Sequence, residues 1–424
     1  MPHALATPLK LIAAALLMLA APLAERAGAQ TPSGPPVRIG VGLALTGQLA
    51  SNGKAALAAM RIWTEDQNAK GGVLGRPVEL VVYDDQSNPS SVPFIYTKLI
   101  EVDKVDLIVG GYATNMLAPA VPVAMAHNKV FIGLQGTAVN AEFKYSKYFS
   151  MIPTGPDPKV AITKGFFDVA MAQKDKPQTV AIVGADAEFA HNTSEGARQT
   201  AKSYGLKIVY DRTYPPSMTD FAPTVRAIQA ANPDLVVVCS YPLDGVGIVR
   251  AVNEIGFNPK MIGGAMVGLQ NASLMMQLGP LLNGWVNYMW YLPVKPLQFP
   301  GLMEVLDRYQ ARAAAEGLDP LGYHTPPLAY ADLQVLAQAV EAVKGFDQDR
   351  MADYMHKATF KTVVGDITFG PDGEWVQSRV LTMQFRNVAS KNLDEFKDMT
   401  KQVIVAPESL KTGDLIYPKA GEKK

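Results

Sequence analysis

Val37-Arg38-Ile39-Gly40-Val41-Gly42-Leu43 is an apolar run of strand length, and the segment after it decides the fold. From about Gly53 to Ala69, apolar Ala56, Met60 and Trp63 recur at helical spacing. Gly71-Gly72 then stops the helix with residues that tolerate positive φ. Val78 to Tyr83 reads as a second strand. The order strand, loop, helix, strand repeats from there, which predicts parallel sheets covered by helices.

The pattern echoes itself. Val82-Tyr83-Asp84 ends one strand and Val209-Tyr210-Asp211 ends another, each leading into a polar loop and a helix. Those helices run into similar buried strands, Asp106-Leu107-Ile108-Val109 and Asp234-Leu235-Val236-Val237-Val238, which predicts two halves of one topology. A chain of 424 residues is also too long for one ordinary core and suits two α/β lobes. The second half opens after Met151-Ile152-Pro153, with a helix near Pro158 to Ala172 and the strand Thr179 to Val183. Trp285 to Tyr291 reads as a buried strand crossing between lobes and is assigned no site residue. Helical stretches at Gly301 to Ala315 and Pro327 to Val343 return to the first lobe. The alternation from Gly365 to Glu374, ending in a Pro-Asp-Gly turn, signals a hairpin.

The first thirty residues place the chain outside the cytoplasm. His3 and Lys10 precede the apolar run Leu11 to Ala24, and Ala27-Gly28-Ala29 supplies a cleavage site, so residues 1–29 are expected to be a signal peptide. The single cysteine, Cys239, lies in an apolar run, which excludes an intrachain disulfide and a lipid anchor after the leader. Equal numbers of basic and acidic residues, 39 each, argue against nucleic acid or an anionic membrane as partner. The expected organisation is therefore a signal peptide at 1–29 and a linker at 30–36. The first lobe takes 37–152 plus about 290–360, the second takes 153–289 plus about 361–386, and a C-terminal extension covers 387–424.

In open parallel sheets, ligands bind beyond the carboxyl ends of the strands, where loops turn into helix N-termini. Ile108-Val109-Gly110-Gly111-Tyr112-Ala113-Thr114-Asn115 is such a place, with two glycines ahead of hydroxyl and amide side chains. It is suited to hold a carboxylate on backbone N–H groups and the Thr114 hydroxyl, or equally to cap its own helix. The next strand ends similarly in Gln135-Gly136-Thr137, and convergence of the two loops favours a binding role for Thr114 and Thr137 together.

At these residues the chain resembles the periplasmic leucine/isoleucine/valine-binding protein family, the type I solute receptors of branched-chain-amino-acid-type ABC transporters. The marks are Leu45-Thr46-Gly47, Asn68-Ala69-Lys70-Gly71-Gly72-Val73-Leu74-Gly75 and Val81-Val82-Tyr83-Asp84-Asp85, and the resemblance covers nearly the whole chain after the leader. It implies two Rossmann-like lobes joined by three hinge crossings, a ligand enclosed between them, and an inner-membrane permease complex as partner. The chain is further expected to be a monomer free in the periplasm, with no cofactor. Carried over by position, the resemblance places the carboxylate site on Thr114, Asn115, Gln135, Gly136 and Thr137. The first-loop aromatic falls near Asn52, a departure, and the second-lobe aromatics fall on Phe189 and Tyr241.

Amino-acid-binding members place a glutamate for the ligand's ammonium where this chain has Ala265 or Met266. An ammonium buried without a counter-charge costs on the order of several kcal/mol. The expected cargo is therefore a carboxylate lacking an α-amino group, an aromatic or aliphatic organic acid, with Met266, Phe189 and Tyr112 against its body. Asp186, Glu188 or Asp244 would supply the missing carboxylate if the loop is aligned otherwise. The competing readings are a branched-chain or other hydrophobic amino acid as cargo, or a periplasmic ligand-sensing receptor.

Nothing favours an enzyme. The chain has no P-loop, nucleophile elbow, zinc-protease helix or dinucleotide fingerprint, and its five histidines lack metal spacing. Asp84-Asp85 is expected to cap loops, since neighbours on a strand point to opposite faces.

Overall fold

The computed structural model of the protein describes residues 31–419. The expected signal peptide lies outside them. Five strands build the first lobe: β1 (Val37–Leu43), β2 (Val78–Asp84), β3 (Leu107–Val109), β4 (Phe131–Gly133) and β5 (Tyr148–Ser150). They are all parallel, in the order β2-β1-β3-β4-β5. The next five, β6 (Thr179–Ala185), β7 (Lys207–Tyr214), β8 (Leu235–Ser240), β9 (Met261–Met266) and β10 (Val286–Met289), repeat the arrangement as β7-β6-β8-β9-β10. The Tyr-Asp echo falls on the second strand of each half, at the end of β2 but, against expectation, inside β7, which runs on to Tyr214, and both halves share one topology.

Burial reflects that order. β8 is buried at every position, because strands on both sides and helices on both faces leave it no solvent edge. Cys239 is a fully buried member of that strand. Gly263 in β9 has φ +136°, and a Cβ there would lie 1.7 Å from the Val286 carbonyl oxygen, so only glycine lets β9 and β10 approach.

Three departures come from the last third of the chain. The hairpin is made by β11 (Thr359–Thr362) and β12 (Gly365–Thr368), and the Pro371-Asp372-Gly373 turn closes only the single bridge between Phe369 and Trp375. Expected in the second lobe, the hairpin packs on the first. Its Phe360 and Ile367 are buried, and Gln334 and Gln338 of the helix Pro326–Val343 bond the backbone at Val363 and Lys361. The expected extension from 387 onward is part of the second lobe. There β14 (Gln402–Ala406) pairs antiparallel with β13 (Leu381–Phe385), which in turn pairs with β10. The run Val403-Ile404-Val405 gains burial and backbone partners by covering that sheet edge.

The chain therefore passes between sheets three times, at 151–157, 290–301 and 369–380. The first and third passages lie side by side: Arg379 donates its N–H to the Pro153 carbonyl at 2.8 Å, and the Trp375 indole donates to the Ser150 carbonyl at 3.0 Å.

Candidate functional site between the lobes

In each lobe the strand order reverses beside the first strand, so the loops after β1 and β3, and after β6 and β8, diverge and open a crevice. The two crevices face one another. In the first loop, Leu45-Thr46-Gly47 is clamped by Asp84, whose carboxylate accepts from the N–H of Leu45, Thr46 and Gln86 and from the Thr46 hydroxyl at 2.7–3.2 Å. Asp85 accepts from the Ser87 N–H at 2.8 Å. Both carboxylates are loop caps.

The loops after β3 and β4 are stitched together. Tyr112 and Gln135 form a parallel bridge, the Ala113 N–H donates to the Gln135 carbonyl at 3.0 Å, and the Thr137 N–H donates to Thr114 Oγ1 at 3.0 Å. Ala113 is held at φ +82°, a conformation costly for any residue with a Cβ and found where surroundings over-determine it. The Thr114 hydroxyl, having accepted, keeps its own proton to donate. Gly110 and Gly111 serve packing and not ligand approach: Cβ atoms there would lie 2.2 Å from the Leu117 side chain and 2.2 Å from the Gly42 carbonyl oxygen.

Across the cleft, the carboxyl ends of β6, β8, β9 and β10 deliver Phe189, Tyr241, Val267, Tyr288 and Trp290. With Tyr112, Ala113, Thr114, Gln135, Thr137, Ile152 and His324 they line a narrow cavity of about 30 Å³, smaller than the roughly 300–1,000 Å³ usual for small-molecule sites. The aromatic rings meet edge to face, Phe189 on Tyr241 at 5.8 Å and Tyr288 on Trp290 at 4.8 Å between centroids.

Six residues singled out from sequence line this cavity: Tyr112, Thr114, Gln135, Thr137, Phe189 and Tyr241. Four do not. Asn115 faces a neighbouring cleft with Gln48 and Pro242, and Asn52 lines a smaller cavity beside Thr325. Gly136 packs against Leu117 and Val139. Met266 is the last residue of β9, its backbone tied by a pair of bonds to the Asn287 amide and its side chain turned towards Gly245. Its successor Val267 lines the cavity instead, at the start of the short helical turn Val267–Gln270 that follows the strand. Sequence reasoning missed Tyr288, Trp290 and His324. The first two lie where the crossing strand leaves the sheet, and His324 stands just before the proline-led helix Pro326–Val343. A polar residue before such a helix start was the available signal.

Among the described residues, no Asp, Glu, Lys or Arg lines the cavity. The acids that the sequence offered as a counter-charge are engaged elsewhere. Asp186 pairs with His191 at 2.8 Å, Asp244 accepts from the Tyr214 hydroxyl at 2.6 Å, and Glu188 lies in an outer groove with Glu142 and Lys159. His324 is neutral, since burial pushes its imidazole down to about 3. Burial also pushes the Tyr112, Tyr241 and Tyr288 phenols up, so their hydroxyls remain protonated donors. The cavity offers hydrogen bonds and ring faces, without formal charge.

A model of periplasmic binding proteins matches residues 36–390. The chain belongs to that family. A leucine-, isoleucine-, valine-, threonine- and alanine-binding protein of Pseudomonas aeruginosa is 23% identical over 339 residues, 80% of this chain and 87% of the relative. The fold is shared with a leucine binding protein from Thermotoga maritima, with TM-score 0.72 and 20% identity over 83% of this chain and 96% of that one. It is shared equally with an R. palustris solute binding protein in complex with 4-hydroxybenzoate, with TM-score 0.71 and 17% identity over 90% and 98%. The family is one of binding proteins and not enzymes. Among the described residues, no helix is long and apolar enough to cross a membrane.

The two lobes of this periplasmic binding protein touch one another across the cleft. Three hydrogen bonds cross the cleft mouth: Asn192 Nδ2 to the Thr137 carbonyl at 2.9 Å, Asn271 Nδ2 to Ser51 Oγ at 2.7 Å, and the Ser273 N–H to Asp319 Oδ2 at 3.2 Å. Asn271 is aimed by its second job, since its Oδ1 caps the helix Ala272–Leu278 by accepting from the Leu274 N–H. Ser51→Ala removes one bond and leaves the cap intact. We expect ligand affinity to fall by about two- to tenfold, the worth of one neutral hydrogen bond, with small-angle scattering of the unliganded variant shifted towards a larger radius. Unchanged affinity and radius would show that this contact does not hold the lobes.

Proposed function

We propose that this periplasmic binding protein is the solute receptor of an ABC importer, and that its cargo is an organic acid without an α-ammonium group. The carboxylate would rest on the loops carrying Thr114 and Thr137, and the body of the acid among Phe189, Tyr241, Tyr288 and Trp290. The observation that carries this reading is the uncharged lining. A buried ammonium needs a counter-charge, whereas a carboxylate can be held by several neutral donors, and the hydroxyls here are donors. The density of rings favours an aromatic acid over an aliphatic one. The solved neighbour in complex with 4-hydroxybenzoate supports this choice. A branched-chain amino acid is the competing cargo, favoured by the Pseudomonas relative. Export through the leader at 1–29, a monomeric state and delivery to an inner-membrane permease complete the proposal.

The test is a thermal-shift and calorimetric screen of the protein lacking residues 1–29. Benzoate-type acids are expected to stabilise it, by roughly 2.7 kcal/mol at a ligand concentration of about 100 Kd, and leucine or valine to leave it unmoved. Tight leucine binding would overturn the organic-acid reading.

A further inference from the structure

His324 also lines a second, smaller inner cavity of about 10 Å³, together with Ser51, Asn52, Gln270, Asn271, Asp319 and Thr325 among others. Three buried polar side chains around it have atoms without a partner: Asn52 Oδ1, Gln270 Oε1 and both ring nitrogens of His324. Which atoms these are is not arbitrary. Gln135 Nε2 donates to the His324 carbonyl at 3.4 Å, so Gln135 Oε1 is an acceptor, and the Thr325 hydroxyl donates to it at 3.0 Å. The Thr325 oxygen then accepts from Asn52 Nδ2 at 3.5 Å, which leaves Asn52 Oδ1 free. Gln270 Nε2 donates to the Tyr288 carbonyl at 2.8 Å, which leaves Gln270 Oε1 free. Each orientation ends on a backbone carbonyl, which can only accept. The carboxylate of Asp319 is taken up by the N–H groups of Ser273, Leu321 and Gly322.

The inner cavity therefore offers His324 acceptors. A neutral imidazole carries one N–H and one bare nitrogen. Neither ring nitrogen has a hydrogen-bond partner, and an N–H on the side of these acceptors would present the bare nitrogen to the aromatic cavity. The two ends of the aromatic cavity also differ, since Thr114 borders the outer groove and His324 borders the inner one. We propose that His324 is a specificity-determining residue that selects aromatic carboxylates bearing a hydrogen-bond donor, a hydroxyl or amino group, at the end away from the carboxylate. This rests on the organic-acid reading of the cavity.

Calorimetric titration of the protein with 4-hydroxybenzoate, 4-aminobenzoate and 4-methylbenzoate tests it, because the methyl compound fills similar space without a donor. The hydroxyl or amino acid is expected to bind at least about tenfold more tightly than the methyl acid, and the ratio to fall towards one in His324→Phe. The ¹⁵N shifts of the His324 ring in the unaltered protein give a readout independent of that variant's folding, and are expected to show one protonated and one bare nitrogen. Equal affinities for all three acids, or an imidazolium at neutral pH, would overturn the proposal and leave the organic-acid reading standing. Failure of all three to bind while leucine binds would overturn that reading itself.

Discussion

The Val267→Glu variant is expected to lose at least about a hundredfold in affinity for an aromatic carboxylate. Val267 is buried on the second-lobe wall, beyond the carboxyl end of β9. No charged side chain lines the cavity around it among the described residues. At pH 7.5 a glutamate there must either face the ligand's carboxylate as a like charge across a dry space or take up a proton at a free-energy cost, and a hundredfold loss corresponds to about 2.8 kcal/mol. Val267→Gln adds the same bulk without the charge and separates the two effects. Calorimetry at pH 7.5 reads the affinities, and melting curves without ligand show whether both variants fold. The prediction fails if the glutamate and glutamine variants bind the acid equally, which would place the carboxylate outside this cavity. A gain of leucine affinity in the glutamate variant alone would show that the missing counter-charge is what bars amino acids.

The second large effect concerns stability. Glu374 lies in the third passage between lobes, only 3% exposed, and its Oε2 accepts from the Thr154 hydroxyl of the first passage at 3.4 Å. Burial, with repulsion from Asp372, raises its carboxyl from an ordinary 4.5 to about 8. Between those two values the folded protein holds a proton that the unfolded chain releases. The group's contribution to stability is therefore full below about pH 4.5 and declines by about 1.4 kcal/mol per pH unit as pH rises towards 8. Glu374→Gln removes this titration and keeps the shape. The two proteins are expected to have similar pH trends below about 4.5, with the variant gaining several kcal/mol over the parent by pH 8.5, read from denaturant melts at a series of pH values. Other buried acids, such as Asp85 and Asp244, both raised to about 6, titrate alike in the two proteins and cancel in the difference. Parallel curves from pH 4 to 9 would show that Glu374 is already ionised when folded.

Much of the scaffold was legible because its signals are local. The apolar run at Val37, the helical spacing of Ala56, Met60 and Trp63, and the paired strands bearing Tyr-Asp each depend on residues within one or two turns of chain. The loops after β3 and β4 were legible for the same reason, and they deliver Tyr112, Thr114, Gln135 and Thr137 to the cavity. The hairpin was placed a few residues late, because Pro-Asp-Gly is a strong turn signal while the turn at Val363-Val364 is chosen by packing on a distant helix.

The sequence by itself determined the two repeated α/β halves, the loops that bear ligand-facing residues and the lack of a carboxylate at positions 265 and 266. Only the tertiary structure decided that Val267 rather than Met266 faces the cargo, that Tyr288 and Trp290 join it, and that His324 stands between two cavities with acceptors at its back. The physical reason is range. Secondary structure is specified by neighbours along the chain, whereas the cavity is made by side chains from segments far apart in sequence, whose meeting depends on strand register and on how the two lobes close.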